Sequence, residues 1–265
     1  MIIDTHTHLF FEEDYQNYQK QAKSKVDLII TMHTTSYDIK HVFEFAENKK
    51  NVHVVAGINI SKDLKKQLKN FTKYFLQNKI VGLKLYPGYQ KFTPTDPRVS
   101  LFVELCQKYN KPLIIHSGDF YSPDGSAKYK YSHPIFIDEL AVNYPKCNFI
   151  ISHFAFPYML EAAGIVYKNK NVYTDISGII KDFQDKKNIE NQTKQLIKDL
   201  QRVFTYYPTI KNKVMMGSDF SGQKTPYDTI QPYLKIFDKL YLAEEKEEVL
   251  YHLPKKLFFN PPSFT

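Results

Sequence analysis

The chain has 265 residues, 43% hydrophobic and 24% charged, which suits one globular domain and excludes a disordered or fibrous chain. Its net charge of +8 would suit an anionic small-molecule substrate. The lysines lie mostly in stretches such as KDLKKQLKNFTKYF and KNIENQTKQLIKDLQR, mixed with Asp, Glu and Asn, so a solvated helix face accounts for most of that excess and argues against a nucleic-acid partner.

Eight short apolar runs recur along the chain, at residues 2–6, 26–32, 52–58, 81–86, 112–116, 148–153, 171–176 and 213–219, and read as strands. Helical spacing predicts helices over 38–49, 61–78, 97–109, 134–143, 157–169, 188–206 and 226–239. A helix after each strand implies parallel pairing, and strands this uniformly apolar are covered on both faces. Eight such units predict a closed (β/α)8 TIM barrel of the α/β class, one domain across residues 1–265. A doubly wound sheet is the alternative, but no glycine-rich phosphate loop follows any strand. Ser61 before KDLKKQL and Asp96-Pro97 before RVSLFVELC read as helix starts.

MIIDTHTHLF lacks a secretory signal's basic start and cleavage site, and no apolar run approaches the roughly 20 residues that span a bilayer. The expectation is a cytoplasmic protein with no membrane partner. Cys106 and Cys147, without metal or redox spacing, read as buried thiols. A homo-oligomer is compatible with all of this.

In a barrel of this kind the loops after the strands form the active face, so polar residues ending apolar strands are candidates for function. His6 and His8 end strand one, Lys84 lies on strand four, His116 ends strand five, His153 ends strand six and Asp219 ends strand eight. Nine histidines would give about 0.3 His-x-His pairs by chance, so the pair alone decides little. Its position carries more, because residues i and i+2 of a strand share a side and can present two imidazoles together. Closing the barrel brings His116 and Asp219 to the same mouth, where neutral imidazoles and a carboxylate suit Zn²⁺ or another borderline divalent ion. His153 reads as a ligand, a base or a packed residue. Lys84 inside an apolar strand needs a partner, either a substrate group or a structural salt bridge. His33 after strand two, Tyr86 in YPGYQKFTP and Tyr121 in the long loop SGDFYSPDGSAKYKYSHP are candidate pocket residues, together with Lys128 and Tyr129 of the same loop. DFSGQKTPYD at 219–228 is a further candidate wall. His53, at the start of a strand, reads as structural, and His41 and His252 carry no case.

DTHTH, GLKLYPG, IIHSGD, ISHF, VYTDISG and GSDF stand in an order and spacing that resembles the amidohydrolase superfamily, most closely its amidohydrolase-related (amidohydrolase 2 type) branch of compact TIM-barrel hydrolases and decarboxylases. The likeness spans about residues 2–220. It implies that His6, His8, His116 and Asp219 hold a metal, that His153 orients or activates the attacking water or binds a second metal, and that Asp219 takes a proton. With His6 so early, no N-terminal half of the β-sandwich found in cyclic amidases is expected. A carboxylated Lys84 would bridge two metals, whereas the GLKLYP context favours one ion and leaves the lysine for substrate. The TatD-type deoxyribonucleases open with a similar motif, but carry an acidic residue on strand four where this chain has Lys84. The implied activity is metal-dependent hydrolysis of a small amide, lactone or ester, with non-oxidative decarboxylation of a small carboxylic acid as the alternative and a non-catalytic metal-binding barrel as the third reading.

Overall fold

The computed structural model describes residues 1–181, 183–222 and 227–260. Eight parallel strands run in sequential order: β1 (Ile3–Thr7), β2 (Leu28–Met32), β3 (Val52–Gly57), β4 (Gly82–Leu85), β5 (Leu113–Ile115), β6 (Phe149–Ile151), β7 (Val172–Asp175) and β8 (Val214–Met215). Backbone hydrogen bonds draw the last strand onto the first, with Thr5 N–H donating to Met216 O at 3.0 Å, Asp219 N–H to His6 O at 2.8 Å and His8 N–H to Phe220 O at 2.7 Å. The expected TIM barrel is therefore the observed fold, and the same bonds seat Asp219 beside the His-x-His stretch.

The helices that cover the strands are α1 (Glu12–Ala22), α2 (Ile39–Glu47), α3 (Leu64–Leu76), α4 (Ser100–Tyr109), α5 (Tyr129–Ser132), α6 (Ile135–Asn143), α7 (Met159–Lys168), α8 (Lys186–Tyr206), α9 (Gln231–Leu240), α10 (Ala243–Glu247) and α11 (Leu253–Phe259). Along α8 the buried residues Ile189, Thr193, Leu196, Leu200 and Val203 follow helical spacing, while Lys194 and Lys198 are exposed, as a solvated lysine face requires. Asp96 caps the short 3₁₀ turn Pro97–Val99 that leads into α4, its carboxylate accepting from Arg98 N–H at 3.0 Å. The cap of α3 is Asp63 rather than Ser61, with its carboxylate accepting from Lys66 N–H at 3.0 Å. Such a cap is worth about 1 kcal/mol. Neither α1 nor the α10–α11 segment belongs to the set expected from helical spacing. EEDYQNYQKQA has a low apolar content and no side-chain cap, and it is held by burying Tyr18, Gln21 and Ala22.

Apolar side chains form two layers. One lies between strands and helices; the other fills the barrel with Ile3, Ile30, Val55, Ile114, Ile150 and Met215, and is closed by Leu257 and Phe258 of α11. His53 meets Phe259 edge to face, with ring centroids 4.6 Å apart, at that closed end, in keeping with its structural reading. No helix among the described residues is long and apolar enough to cross a membrane.

Candidate metal centre

The strands that carry the polar residues are shorter than the apolar runs. β5, β6 and β8 end at Ile115, Ile151 and Met215, so His116, His153 and Asp219 stand on the turns that follow. Those turns are unusual. His153, Phe154 and Ala155 have φ of 59°, 45° and 50°, and Asp219 has φ of 58°. Left-handed backbone costs a non-glycine residue roughly 1–2 kcal/mol, and here the buried Phe154 and Ala155 side chains hold it in place. Strain of this kind gathers at functional sites.

The turns converge. One ligand atom each from His6, His153 and Asp219 lies within 4.8 Å of the others. His6 Nε2 is 3.6 Å and His8 Nε2 is 3.3 Å from Asp219 Oδ1. The His6 and His8 rings are 5.4 Å apart, and His116 lies 5.0 Å from His153, centroid to centroid.

The outer nitrogens fix the direction of the rings. His8 Nδ1 lies 2.8 Å from Met32 O, His153 Nδ1 lies 3.0 Å from Ser177 O, and His6 Nδ1 lies 3.1 Å from Asp175 Oδ2. A carbonyl or carboxylate oxygen only accepts, so each Nδ1 carries the hydrogen and each Nε2 presents a lone pair unless it takes a second proton. Burial, with help from Lys84 and against Asp175 and Asp219, pushes His6 down to about 3, so it stays neutral at pH 7. Burial also lowers His153, and burial with the His153 and Lys84 charges lowers His116 well below its usual range.

The carboxylates behave in the opposite way. Burial would raise Asp219, but the surrounding imidazoles of His153, His8 and His6 outweigh it and hold the carboxyl well below the usual range. Asp175, likewise opposed by burial, is held down by His6, His153 and Lys84. Acceptors therefore face acceptors around one point. The Nε2 atoms of His6 and His116 are buried without a hydrogen-bond partner. Orphaned buried acceptors cost about 1–3 kcal/mol each unless something electropositive joins them. Imidazole nitrogens plus a carboxylate are a donor set suited to a borderline divalent cation. The residues fit such an ion, with His6, His153 and Asp219 as the tightest group, and His8 and His116 at its edge. Gly178, at φ 63°, makes room for the Asp219 carboxylate, because a Cβ there would sit 2.5 Å from Asp219 Oδ2.

Beneath the cluster, Asp4 braces both sides of the seam. Its carboxylate accepts from His6 N–H at 3.2 Å, Ser218 N–H at 3.0 Å, Ser218 Oγ at 2.6 Å and Tyr18 Oη at 2.8 Å.

The sequence profile of the amidohydrolase family matches residues 73–259. The chain belongs to the amidohydrolase family. The matched span includes Lys84, His116, His153 and Asp219, while His6 and His8 precede it. Among solved structures, this family member is similar to an uncharacterized TIM-barrel protein from Bordetella bronchiseptica, with TM-score 0.72, 14% identity and 97% of each chain covered. It is also similar to a probable 2-pyrone-4,6-dicarboxylic acid hydrolase from Acinetobacter baumannii, with TM-score 0.64, 14% identity, and 97% of this chain and 98% of that one covered. A third likeness is 5-carboxyvanillate decarboxylase from Novosphingobium aromaticivorans, crystallised with manganese, with TM-score 0.62, 12% identity, and 97% and 96% covered. At these identities the likeness is one of fold. The Emericella nidulans protein FluG is 31% identical over 70 residues, which is 26% of this chain and 8% of that protein's length.

The other expected site residues have distinct surroundings. Lys84 is 1% exposed and donates to Ser152 Oγ; burial lowers it to about 8, with Asp175 and Asp219 acting on it through space. Its four-carbon stem thus ends in an ammonium with no carboxylate in ion-pair contact among the described residues. His33 has both ring nitrogens engaged by backbone, Nδ1 accepting from Gly57 N–H at 3.1 Å and Nε2 lying 3.0 Å from Tyr37 O. Tyr86 Oη donates to His33 O at 2.9 Å, so the pair braces the ends of β2 and β4. Tyr121 is 86% exposed and does not line the centre with its ring; its N–H donates to Tyr89 Oη at 2.9 Å. The aromatic wall is built instead by Tyr89 and Phe120, 4.9 and 5.0 Å from the His116 ring. Asp119 pairs with Lys181 and accepts from Tyr129 Oη at 2.5 Å, which straps the loop after β5 to the loop after β7. Of the candidate wall at 219–228, residues 223–226 lie outside the described residues.

Sequence reasoning passed over Asp175 and Ser177, and in the segments 86–94 and 117–134 it named Tyr86 and Tyr121 where Tyr89 and Phe120 face His116. Asp175 had a signal, since it is a carboxylate ending an apolar strand, the criterion that singled out Asp219. Ser177 had none, because a lone serine after a strand is ordinary.

Proposed function

We propose that the chain is a metal-dependent hydrolase acting on an amide, lactone or ester of a small anionic molecule. The observation that carries the reading is the convergence of His6, His153 and Asp219, with neutral imidazoles turned inward beside an ionised carboxylate at the barrel mouth. A divalent ion held there supplies Lewis acidity, lowering the pKa of water and polarising a substrate carbonyl. His6, His8, His116 and Asp219, with His153 closing the group, are the residues that would hold it; zinc suits the set, and manganese accompanies the decarboxylase named above. Asp219 Oδ, ionised at neutral pH, accepts the proton that water gives up; His153 Nε2 would take that role only in a centre where it does not hold the ion. Lys84 offers a positive charge to a substrate carboxylate; in a two-ion centre its carboxylated form would instead be a bridging ligand.

Decarboxylation is the second reading. The aromatic corner of Tyr89 and Phe120 beside His116, whose rings meet at 90°, favours it, since the ring of an aromatic carboxylic acid packs face-on or edge-on against such side chains. Protein loaded with Zn²⁺ or Mn²⁺ and screened over small lactones, amides, esters and aromatic acids separates the two. Without CO2, base uptake marks hydrolysis of an ester or lactone and release of an amine marks hydrolysis of an amide, whereas CO2 release marks decarboxylation. Turnover retained by both His6→Ala and Asp219→Asn would sink either reading.

A further inference from the structure

We infer that Ser177, acting with Asp175, is a positioning residue that locks His6 and His153 as a matched pair of metal-facing imidazoles. The inference rests on the metal centre proposed above. Ser177 lies just past β7, and its Oγ is 3.0 Å from His6 Nδ1, 2.9 Å from His153 Nδ1 and in hydrogen-bond contact with Asp175 Oδ1. A hydroxyl has one hydrogen and two lone pairs. The carboxylate of Asp175 only accepts, so the hydroxyl hydrogen goes there, and the two lone pairs are left for the two Nδ1–H groups.

Each imidazole has a second acceptor that enforces the same tautomer. For His6 it is Asp175 Oδ2 at 3.1 Å, and for His153 it is the Ser177 carbonyl at 3.0 Å. The hydroxyl is thus a single atom touching rings from β1 and from the turn after β6, and through it the two Nε2 lone pairs are aimed together. Gly217 lets the clamp close, because a Cβ there would lie 2.9 Å from Ser177 Cβ and 2.8 Å from His6 Cβ.

The turn itself does not depend on the hydroxyl. Asp175 Oδ1 also accepts from the Ser177 and His153 backbone N–H groups, each at 3.0 Å. Ser177→Ala keeps those bonds and the Cβ, and removes only the hydroxyl, that is, the shared acceptor and its one donated bond to Asp175 Oδ1.

The test compares Co²⁺ binding to wild type, Ser177→Ala and Asp175→Asn, by competition with a chromophoric chelator, with the Co²⁺ visible spectrum as a second readout. Outer partners of metal-binding histidines typically contribute 10–100-fold in affinity. A loss of about that size in Ser177→Ala, with an altered Co²⁺ spectrum and a metal-free melting curve close to wild type, supports the lock. If Ser177→Ala does not fold, Ser177→Cys, whose thiol is a weak acceptor, reads the same quantity. Wild-type affinity and an unchanged spectrum in the folded variant overturn the inference while leaving the metal centre standing. Failure of the wild type to bind Co²⁺ at all would instead take down the centre, and the inference with it.

Discussion

Replacing Lys84 with methionine should make the protein more stable and less active. The ammonium of Lys84 is 1% exposed on β4, with one neutral hydrogen-bond partner, Ser152 Oγ, and the Tyr86 ring 5.7 Å away. Burial lowers it from an ordinary 10.5 to about 8, and Asp175 and Asp219 offset only part of that. At about 1.36 kcal/mol per pH unit, keeping the group charged at pH 7 costs the fold about 3 kcal/mol. Methionine has nearly the same length and gives back about 1 kcal/mol of that gain through the lost hydrogen bond. The net expectation is about 2 kcal/mol of added stability at pH 7, in urea unfolding of metal-free protein with unchanged slope. The pH dependence has a defined sign. A lysine whose folded pKa is depressed destabilises fully below that pKa and not at all above the unfolded value, so the advantage of Lys84→Met should persist up to about pH 8 and fade toward pH 10.5. Catalytic turnover should drop sharply in the same variant, the trade-off expected of a residue kept for function. A variant less stable than wild type at pH 7 would refute this reasoning and assign Lys84 a structural role.

Three further outcomes follow from the geometry. Gly178→Ala places a Cβ 2.5 Å from Asp219 Oδ2 at φ 63°, so metal affinity should fall at least about tenfold with a loss of about 1–3 kcal/mol in stability; chelator competition showing wild-type affinity would contradict it. Loading metal-free protein with the divalent ion at 100 times its Kd should add about 2.7 kcal/mol, read as a raised melting temperature that a chelator reverses; a melting curve indifferent to both would count against the centre. Lys181→Ala releases the strap to Asp119, a partly exposed pair worth about 1 kcal/mol or less, so KM should rise while the melting temperature barely moves; an unchanged KM would show that the strap does not shape the pocket.

The barrel was legible because its cause is periodic: eight apolar runs spaced by helical stretches leave few other topologies. The candidate ligands were legible for a related reason, since charge and imidazole are costly inside apolar strands and so stand out at strand ends. Element bounds were less so. Asp63 rather than Ser61 caps α3, and α1 forms from a polar segment because Tyr18 reaches Asp4, a contact across the barrel wall that no local pattern announces. The same holds for the site. Ser177 and Asp175 gain their role from imidazoles on β1 and after β6, and Tyr89 and Phe120 reach His116 from separate loops, displacing Tyr121 from its expected place. Such contacts follow from closure of the barrel and the left-handed turns after β6 and β8, which the apolar pattern does not encode.

The most direct measurement is the metal content of the protein purified without added metal, by elemental mass spectrometry, beside the Asp219→Asn and His6→Ala variants. The account expects about one divalent ion per chain in the wild type, retained through dialysis, and a large loss in both variants. A wild-type chain that holds no divalent ion, even after incubation with Zn²⁺ or Mn²⁺, would contradict it.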